Sequence, residues 1–482
     1  MSKKNGLWDQ FKGRIYKKIS DEQVSYTLEA IHLFLHMKLF FTTYMFLKKS
    51  QYWTKEKMET YQREQLRNLL VHSYENVPYY HKLFDKIGFS PYDFNGFEDL
   101  HKLPFLTKEI IRDNVQDLKA QDYPDYAFTY MTTGGTTASP LGIYEEKNIS
   151  YIKELAYTKI FFDGIGLNFY DKSVFLRGTV IADSDKGPYW KYTLFHRFLI
   201  LSSYHMTEAN LSVYVEKIRK FKPKYFAAYP SSLCILAKYM KKNNIPPFTS
   251  LKYIICGAET LYPWQRTFLE DVFQCKMHEA YGLTEQAVLA NTCKNSNFFH
   301  FYPEYGYVEF IDRNGNPVKN DYDAAEIVAT GFKNDIFPFI RYKTDDRCIY
   351  TSQKCSCGRN YPLAVSIEGR WSSSDFLIST DDRLVSITAM NMHSDIFDNV
   401  KQFQFYQEKK GDVIFRIIKM DSYTDNDAKN IRQQLLKKLG DNFSLTIVYV
   451  EEIPRTLRGK QKFLIQKLPV DIWNSKDNYE AK

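Results

Sequence analysis

The stretch that decides the fold is residues 224–232, Lys224-Tyr225-Phe226-Ala227-Ala228-Tyr229-Pro230-Ser231-Ser232. Its first part is a short apolar run typical of a buried strand, and the proline after it suits the first turn of a helix. The pattern recurs on both sides, because runs at 173–176 and 253–256 predict strands while segments at 211–221 and 263–273 predict helices. Strands alternating with helices predict a parallel sheet covered by helices.

The regions that flank this segment have other patterns. Residues 20–114 are mostly helical in pattern, and Thr107 is suited to cap a helix at 108–114. After Tyr305, alternating runs on either side of Asn314-Gly315 predict β-hairpins. Near the end of the chain, a helical pattern at 425–439 lies among strand patterns at 402–406, 413–418 and 445–450.

These patterns predict an α/β protein with a further α+β unit, divided into three parts. Residues 1–115 are expected to form a helical segment packed on a large domain, and residues 116–368 the rest of that domain. Residues 369–482 are expected to form a small, mobile C-terminal α+β domain. A chain of 482 residues is too long for one hydrophobic core, which favours such a division.

The composition is that of an ordinary globular protein and argues against a nucleic-acid partner. The net charge is +8, from 65 basic and 57 acidic residues, without a dense Lys/Arg block. Seven cysteines and no evident signal peptide predict a reducing compartment, the cytoplasm. The apolar stretch at 31–47 is short and interrupted by charge, so it predicts an amphipathic or buried helix. Peripheral membrane contact stays an alternative, because Lys12, Arg14, Lys17 and Lys18 form a basic patch nearby.

A threonine- and glycine-rich loop predicts a site for phosphate groups. Residues 132–140 read Thr132-Thr133-Gly134-Gly135-Thr136-Thr137-Ala138-Ser139-Pro140, with no large side chain to build a core. Glycine lets a backbone approach a ligand closely, and hydroxyl and N–H groups can surround an anion. A plain surface turn is the alternative, since the loop lacks the lysine of a Walker sequence.

Three later segments carry further polar groups. Tyr281-Gly282-Leu283-Thr284-Glu285 combines an aromatic ring, a hydroxyl and a carboxylate, and a carboxylate of this kind can hold Mg²⁺ against phosphates. Residues 341–347 contain two adjacent carboxylates, which can bind a metal or accept the hydroxyls of a ribose. Residues 453–460 end on a lysine behind a glycine. Taken singly, each segment has another interpretation. The first is consistent with a capped loop, the second with a solvated charge run and the third with a basic turn.

In this order, the segments resemble the adenylate-forming ligase superfamily. Within it the chain is similar to the phenylacetate–CoA ligase branch, and particularly to the CapK-type capsular polysaccharide biosynthesis proteins. The similarity extends over nearly the whole chain and includes four further motifs: Asn76-Val77-Pro78-Tyr79-Tyr80, Gly257-Ala258-Glu259, Cys355-Ser356-Cys357-Gly358-Arg359 and Gln402-Phe403-Gln404.

The resemblance implies roles for the matching residues, with ATP and Mg²⁺ as cofactors. The phosphates would be held by Thr133, Gly134, Gly135, Thr136 and Thr137, and the adenine would be lined by Gly257, Ala258, Glu259 and Tyr281, with Gly282 and Thr284 beside them. Glu285 would carry Mg²⁺, and Asp346 would accept the ribose hydroxyls with Arg370 nearby. Lys460 would reach from the small domain to the carboxylate and the α-phosphate.

The chain departs from the family pattern at several positions. Ala138 and Asp345 stand where glycine is common, and Leu141 stands where a lysine is common. The hinge after Gly369-Arg370 lacks an immediate acidic residue, so Asp375 is assigned to it. These departures put the catalytic rate in doubt more than the fold, and they support the alternative of a noncatalytic nucleotide-binding scaffold.

A second kind of site is predicted from cysteine and histidine spacing. Cys355 and Cys357, with Cys293 and His300 upstream, supply three sulfurs and an imidazole, a ligand set for structural zinc. Only folding could unite the two halves, which lie about 55 residues apart. Buried free cysteines are the alternative.

The function indicated by the resemblance is ATP-dependent activation of a carboxylate as an acyl- or aminoacyl-AMP. The acyl or aminoacyl group would then be transferred to an amine, hydroxyl or thiol acceptor, in surface polysaccharide biosynthesis. An aryl-CoA ligase, with CoA as the acceptor, is an alternative. The acid pocket is expected to draw on Tyr229, Pro230, Ser231, Ala287 and Val288, whose types do not identify the acid.

Overall fold

A computed structural model describes residues 37–132, 141–147, 149–179, 181, 187–193, 197–259, 261, 263–312, 314–368, 376–381, 383–386, 396, 399–420, 422–453 and 464–468. The helices in these residues are α1 (Met37–Ser50), α2 (Lys55–Asn76), α3 (Pro78–Ile87), α4 (Phe97–Leu100), α5 (Lys108–Asp113), α6 (Ser150–Ile165), α7 (Glu208–Phe221), α8 (Pro230–Lys242), α9 (Pro263–Phe273) and α10 (Asp425–Leu439).

The strands of the first half lead from a hairpin into the large sheet. They are β1 (Phe128–Thr132), β2 (Gly142–Glu146), β3 (Ser173–Leu176), β4 (Trp190–Thr193), β5 (Phe198–Leu201), β6 (Tyr225–Ala228), β7 (Tyr253–Gly257), β8 (Lys276–Gly282), β9 (Leu289–Asn291) and β10 (Phe299–Phe301). Those of the second half are β11 (Gly306–Ile311), β12 (Ala324–Gly331), β13 (Tyr342–Thr351), β14 (Leu363–Glu368), β15 (Phe376–Ile378), β16 (Leu384–Ser386), β17 (Val400–Lys409), β18 (Asp412–Lys419), β19 (Ser444–Tyr449) and β20 (Leu464–Gln466).

Among the described residues, twelve strands form one continuous sheet, in the order β11-β12-β13-β14-β10-β9-β8-β7-β6-β3-β5-β4. Strands β8, β7, β6, β3 and β5 run parallel, and β4 closes that edge antiparallel. From β9 to β11 the pairing is antiparallel throughout. Strand β8 is therefore the point where the sheet changes from parallel to antiparallel pairing, and chain segments from both halves meet there.

The parallel half has the expected local causes. Strand β6 is buried along its whole length, and Pro230 occupies the first turn of α8, where its missing N–H needs no partner. Leu233 of α8 packs with Phe226 of β6 in one buried cluster that also contains Ile254 of β7. The predicted parallel sheet covered by helices is confirmed.

The helical N-terminal part packs on the antiparallel half of the sheet. Tyr80 of α3 is buried and donates a hydrogen bond to the carbonyl of Pro338 at 2.9 Å. Thr107 caps α5 by accepting from the amide of Ile110, as its sequence predicts. Helix α2 ends at Asn76, because Pro78 cannot continue it and instead begins α3.

A four-stranded sheet lies in the C-terminal part of the chain, in the order β19-β18-β17-β20. Strands β17 and β18 are antiparallel, and the other two pairs are parallel. Helix α10 has the bounds expected from its pattern, and a capping box at Thr424 begins it. The proposed division after residue 368 falls among residues that the structure leaves undescribed, so the three-part division stays a prediction.

Helix α1 covers the later part of the apolar stretch at 31–47. Phe40 and Leu47 are buried, while Met37, Phe41 and Met45 are exposed. In the described residues, no helix is both long enough and apolar enough to span a bilayer. Membrane contact through the basic patch at residues 12–18 concerns a part of the chain that is not described, and it stays a prediction.

Candidate active site

The phosphate loop is expected between two paired strands. Strands β1 and β2 form an antiparallel hairpin in which Thr132 lies opposite Gly142. Residues 133–140, which include the predicted phosphate ligands, lie outside the described residues. The flanks of the loop are placed: Thr132 and Leu141 are both buried, and Leu141 packs in the main hydrophobic cluster with Ala287.

A hydrogen bond connects this hairpin to the segment after β8. The Gln286 side-chain amide donates to Glu145 of β2 at 2.9 Å. Ala287 is packed closely, because a Cβ added to Gly306 or Gly331 would meet its backbone within 3 Å. The hairpin base and residues 281–287 are therefore neighbours in the fold, although about 140 residues separate them in the chain.

Tyr281 and Asp346 meet across the sheet. Tyr281 lies in β8 and Asp346 in β13, and the tyrosine hydroxyl donates to Asp346 Oδ2 at 2.9 Å. The Asp346 side chain is buried, and the backbone amide of Asp346 donates to the hydroxyl of Thr344. Burial raises the pKa of Asp346 to about 6, against the opposing effects of the Lys108 ammonium and the Tyr281 hydroxyl. Burial, with the Asp346 charge, also raises the pKa of Tyr281 well above its ordinary value.

Glu285 is positioned by a residue to which the sequence analysis assigned no role. The Tyr342 hydroxyl donates to Glu285 Oε1 at 2.7 Å, and both side chains are buried. Burial and the Glu285 charge raise the pKa of Tyr342 well above its ordinary value, so it stays a donor. Tyr342 lies inside the charged segment 341–347, but an aromatic residue among charges gives no sign that it binds a glutamate.

The motif Gly257-Ala258-Glu259 follows β7, next to β8 in the parallel sheet. Gly257 pairs with Ala280, and a Cβ at Gly257 would lie 2.7 Å from the Ala280 carbonyl oxygen, so glycine is required there. Ala258 has a positive φ of 65° and is exposed, and Glu259 is half-buried. The motif thus lies at the carboxyl end of a parallel strand next to Tyr281, where ligands bind in open α/β sheets.

Asp345 has a structural explanation. Its φ is +62°, a conformation that glycine adopts freely and that aspartate tolerates better than most residues. The buried Lys108 ammonium binds Asp345 at 2.8 Å and donates to the Thr344 carbonyl at 2.9 Å. Lys108 therefore supports the backbone next to Asp346, and no sequence pattern distinguished it from a surface lysine at a helix start.

Several predicted residues cannot be placed. Arg370, Asp375 and Lys460, like the loop residues 133–138, belong to parts of the chain that the structure leaves undescribed. Their roles stay predictions. Thr284 is half-buried and Gly282 exposed, beside the placed Tyr281 and Glu285.

Residues expected at the acid pocket lie in two buried clusters. Ala287 and Val288 belong to the main core, 1% and 4% exposed. Tyr229, with Tyr204, packs in the cluster that contains Leu377 of β15. Pro230 begins α8 directly after Tyr229, while the side chain of Ser231 is not described.

The four predicted metal ligands come together elsewhere, at the end of β9, β10 and β14. The ligand atoms of Cys293, His300, Cys355 and Cys357 all lie within 4.8 Å of one another.

Comparison with known proteins finds two family models that match parts of this chain. Residues 196–320 match the AMP-binding enzyme family, and residues 377–467 match the CapK C-terminal domain. A solved structure of 2-hydroxyisobutyryl-CoA ligase superposes with a TM-score of 0.57 at 16% identity, covering 89% of this chain and 94% of that one. This likeness concerns the fold alone, and it confirms the predicted fold class.

Curated relatives agree with these matches. Protein CapK of Staphylococcus aureus is 26% identical over 376 residues, 77% of this chain and 81% of that protein. Phenylacetate-coenzyme A ligases of Thermus thermophilus and Aromatoleum evansii are 25% and 26% identical, over 84% and 86% of this chain and 96% of each relative. These matches support an adenylate-forming ligase, and the chain is similar to CapK and to the phenylacetate-coenzyme A ligases.

Nucleotide affinity is expected to fall as the pH drops through about 6. If Asp346 accepts the ribose hydroxyls, it does so best as a carboxylate, which is the dominant form above its pKa of about 6. ATP affinity should then fall about tenfold between pH 7 and pH 5, since only about a tenth of the carboxylate remains ionised. Calorimetric titration across this range measures the effect.

The control ligand is 2′,3′-dideoxy-ATP, which shares the phosphate ionisations of ATP but lacks the hydroxyls. Its affinity should change much less with pH, and Asp346→Asn should remove the difference between the two ligands. Equal pH profiles for both ligands with the unaltered protein would show that Asp346 does not bind the ribose.

Proposed function

We propose that the protein joins a carboxylate to AMP and then transfers the acyl or aminoacyl group to an acceptor. In the first step a carboxylate oxygen attacks the α-phosphorus of ATP, and the bond to pyrophosphate breaks. In the second, the acceptor attacks the acyl carbon and AMP leaves. The observation that carries the proposal is a pair of contacts between β13 and the segment at the end of β8: Tyr281 donates to Asp346, and Tyr342 donates to Glu285.

The described residues have chemistry that fits ATP and Mg²⁺. Glu285 supplies a buried carboxylate held by Tyr342, and Mg²⁺ prefers oxygen ligands of this kind together with substrate phosphates. Bound there, the ion would neutralise charge that develops on the phosphates. The Gly257-Ala258-Glu259 motif, at the carboxyl end of β7 beside Ala280, would line the adenine, and Asp346 would accept the ribose hydroxyls.

The assignment includes a moving C-terminal unit. We infer that residues 369–482 form a lid that presents Lys460 during adenylation and moves for the second step, a gating motion of a known kind. The hydrophobic cluster of β17, β18 and α10 supports this, because it gives these residues a core largely of their own, with Phe405, Phe415 and Leu435 fully buried.

The acceptor is proposed to be an amine or hydroxyl of a sugar in surface polysaccharide assembly. The similarity to CapK supports this, including the match of residues 377–467 to the CapK C-terminal domain. A second candidate is transfer to the thiol of CoA. It is favoured by phenylacetate-coenzyme A ligases that are matched over 96% of their length.

Exchange of labelled pyrophosphate into ATP tests the first step. The purified full chain is incubated with ATP, Mg²⁺ and a panel of aryl acids, aliphatic acids and amino acids. We expect exchange that depends on one class of carboxylate, and acyl-CoA formation with that acid would favour the second candidate. Release of ADP and phosphate, with no carboxylate-dependent exchange from the folded protein, would contradict adenylate formation and favour a different use of the nucleotide.

A further inference from the structure

Three cysteines and one histidine converge at the end of the antiparallel half of the sheet. Cys293 follows β9, His300 lies in β10, and Cys355 and Cys357 precede β14. The Cys293 and Cys355 sulfurs are 3.6 Å apart, and Cys357 Sγ is 3.3 Å from His300 Nε2. Around a tetrahedral zinc ion with bonds of about 2.0–2.3 Å, neighbouring ligand atoms are separated by roughly 3.5–3.8 Å. The cluster is close to that size. We propose that these four residues bind one structural zinc ion.

The histidine already has the orientation of a metal ligand. His300 Nδ1 lies 2.9 Å from the carbonyl oxygen of Phe298, and a carbonyl can only accept. Nδ1 therefore carries the hydrogen, and the lone pair of Nε2 faces Cys357. Histidines that bind metals are commonly held in this way, with the second nitrogen donating to a carbonyl or carboxylate.

The sulfurs are surrounded by donors that stabilise thiolates. The amide of Asn295 donates to Cys293 Sγ at 3.3 Å, and the amide of Cys357 donates to Cys355 Sγ at 3.5 Å. The hydroxyl of Ser296 lies 3.2 Å from Cys355 Sγ. Gly358, with a φ of +81°, makes the turn that follows the Cys355–Cys357 pair. The short C-x-C spacing is thus accommodated by a glycine turn.

Burial and the number of ligands indicate a structural ion and not a catalytic one. Cys293, His300 and Cys355 are 3%, 2% and 8% exposed, and Cys357 is half-buried. Four protein ligands fill a tetrahedral zinc site, which leaves no position for water or substrate. A disulfide between Cys293 and Cys355 would require their sulfurs to approach from 3.6 Å to about 2.05 Å.

The position of the cluster gives the ion its role. Ala290 of β9 pairs with Tyr281, and β14 pairs with β13, which carries Asp346. An ion bound by residues after β9 and before β14 would join the β8–β9 pair to the β13–β14 pair at one end. It would thus link segments that are far apart in the chain. The zinc site would thus hold together the part of the sheet that presents Tyr281 and Asp346. Such a site would form whether or not the protein carries out the proposed reaction.

Metal analysis of the full chain tests the proposal. Protein purified without a metal-binding tag should contain about one zinc ion per chain by mass spectrometry. Cys355→Ser should lose most of it on dialysis against a mild chelator, because one of three thiolates is removed. Cys275→Ser is the matched control, since Cys275 is a half-buried cysteine outside the cluster, and it should keep the full amount.

A second measurement uses the unaltered protein, in case the serine variant does not fold. Replacement of the metal by Co²⁺ should produce the intense visible bands of a tetrahedral thiolate site, and added Zn²⁺ should remove them. The proposal is overturned if the protein stays metal-free after incubation with Zn²⁺. A Cys293–Cys355 disulfide, the absorption of an iron–sulfur cluster, or equal zinc loss from Cys275→Ser would overturn it as well.

Discussion

Lys460→Ala is expected to reduce carboxylate-dependent pyrophosphate exchange by at least about 10²–10³-fold, to the limit of detection. The carboxylate and the α-phosphate are both anions, and negative charge accumulates as the new bond forms. An ammonium placed between them offsets that repulsion more in the transition state than in the bound substrates. The role of Lys460 comes from the family resemblance, and the exchange assay with the preferred acid measures it directly.

The chain supplies a matched control two residues later. Lys462→Ala removes the same charge from the same segment and should leave exchange within about twofold, if the effect belongs to one lysine and not to local charge. Both variants should have the melting temperature of the unaltered protein. Full exchange by Lys460→Ala would exclude that lysine from the reaction.

Arg341→Met is expected to lower the free energy of unfolding by about 3–5 kcal/mol. Arg341 and Glu309 form a buried bidentate ion pair, with Nε–Oε2 and Nη2–Oε1 distances of 3.1 and 2.8 Å. Their side chains are 4% and 6% exposed, and Arg341 Nη1 also donates to the carbonyl of Leu103. Methionine would fill similar space, but the Glu309 carboxylate would stay buried without its arginine partner. Urea unfolding followed by tryptophan fluorescence measures the loss.

Two comparisons separate this effect from a general loss of charge. Lys82→Met breaks an exposed pair with Asp117, whose side chains are 71% and 46% exposed, and should cost no more than about 1 kcal/mol. Adding Glu309→Gln to Arg341→Met should recover part of the lost stability, because the stranded charge is removed. A loss below about 1 kcal/mol for Arg341→Met alone would contradict the argument.

Much of the architecture follows from local pattern. Helix α10 begins and ends where its periodicity predicts, and β6 followed by Pro230 marks the parallel half. The join between the two halves is not a local property. The pairing of β10 with β14 depends on contacts between residues such as Phe299 and Ala364, which are about 65 residues apart and which no single segment encodes.

The site shows the same division. Tyr281, Glu285 and Asp346 are predicted as site residues from the order of motifs, because chemically distinctive residues in a family arrangement stand out in the sequence. Lys108 and Tyr342 were not, because an ordinary lysine and tyrosine acquire their roles from the groups they contact: Asp345 at 2.8 Å and Glu285 at 2.7 Å.

By itself the amino-acid sequence predicted the alternation of strands and helices in the parallel half, a set of candidate nucleotide ligands, and the set of three cysteines and a histidine. Hydrophobic period, caps and turn residues act over a few positions, so they can be read from the chain directly. Only the tertiary structure decided that Tyr281 reaches Asp346, that Lys108 supports the backbone at Asp345, and that the four metal ligands meet. The physical reason is that these are contacts between side chains tens to hundreds of residues apart, and packing of the whole sheet brings them within bonding distance.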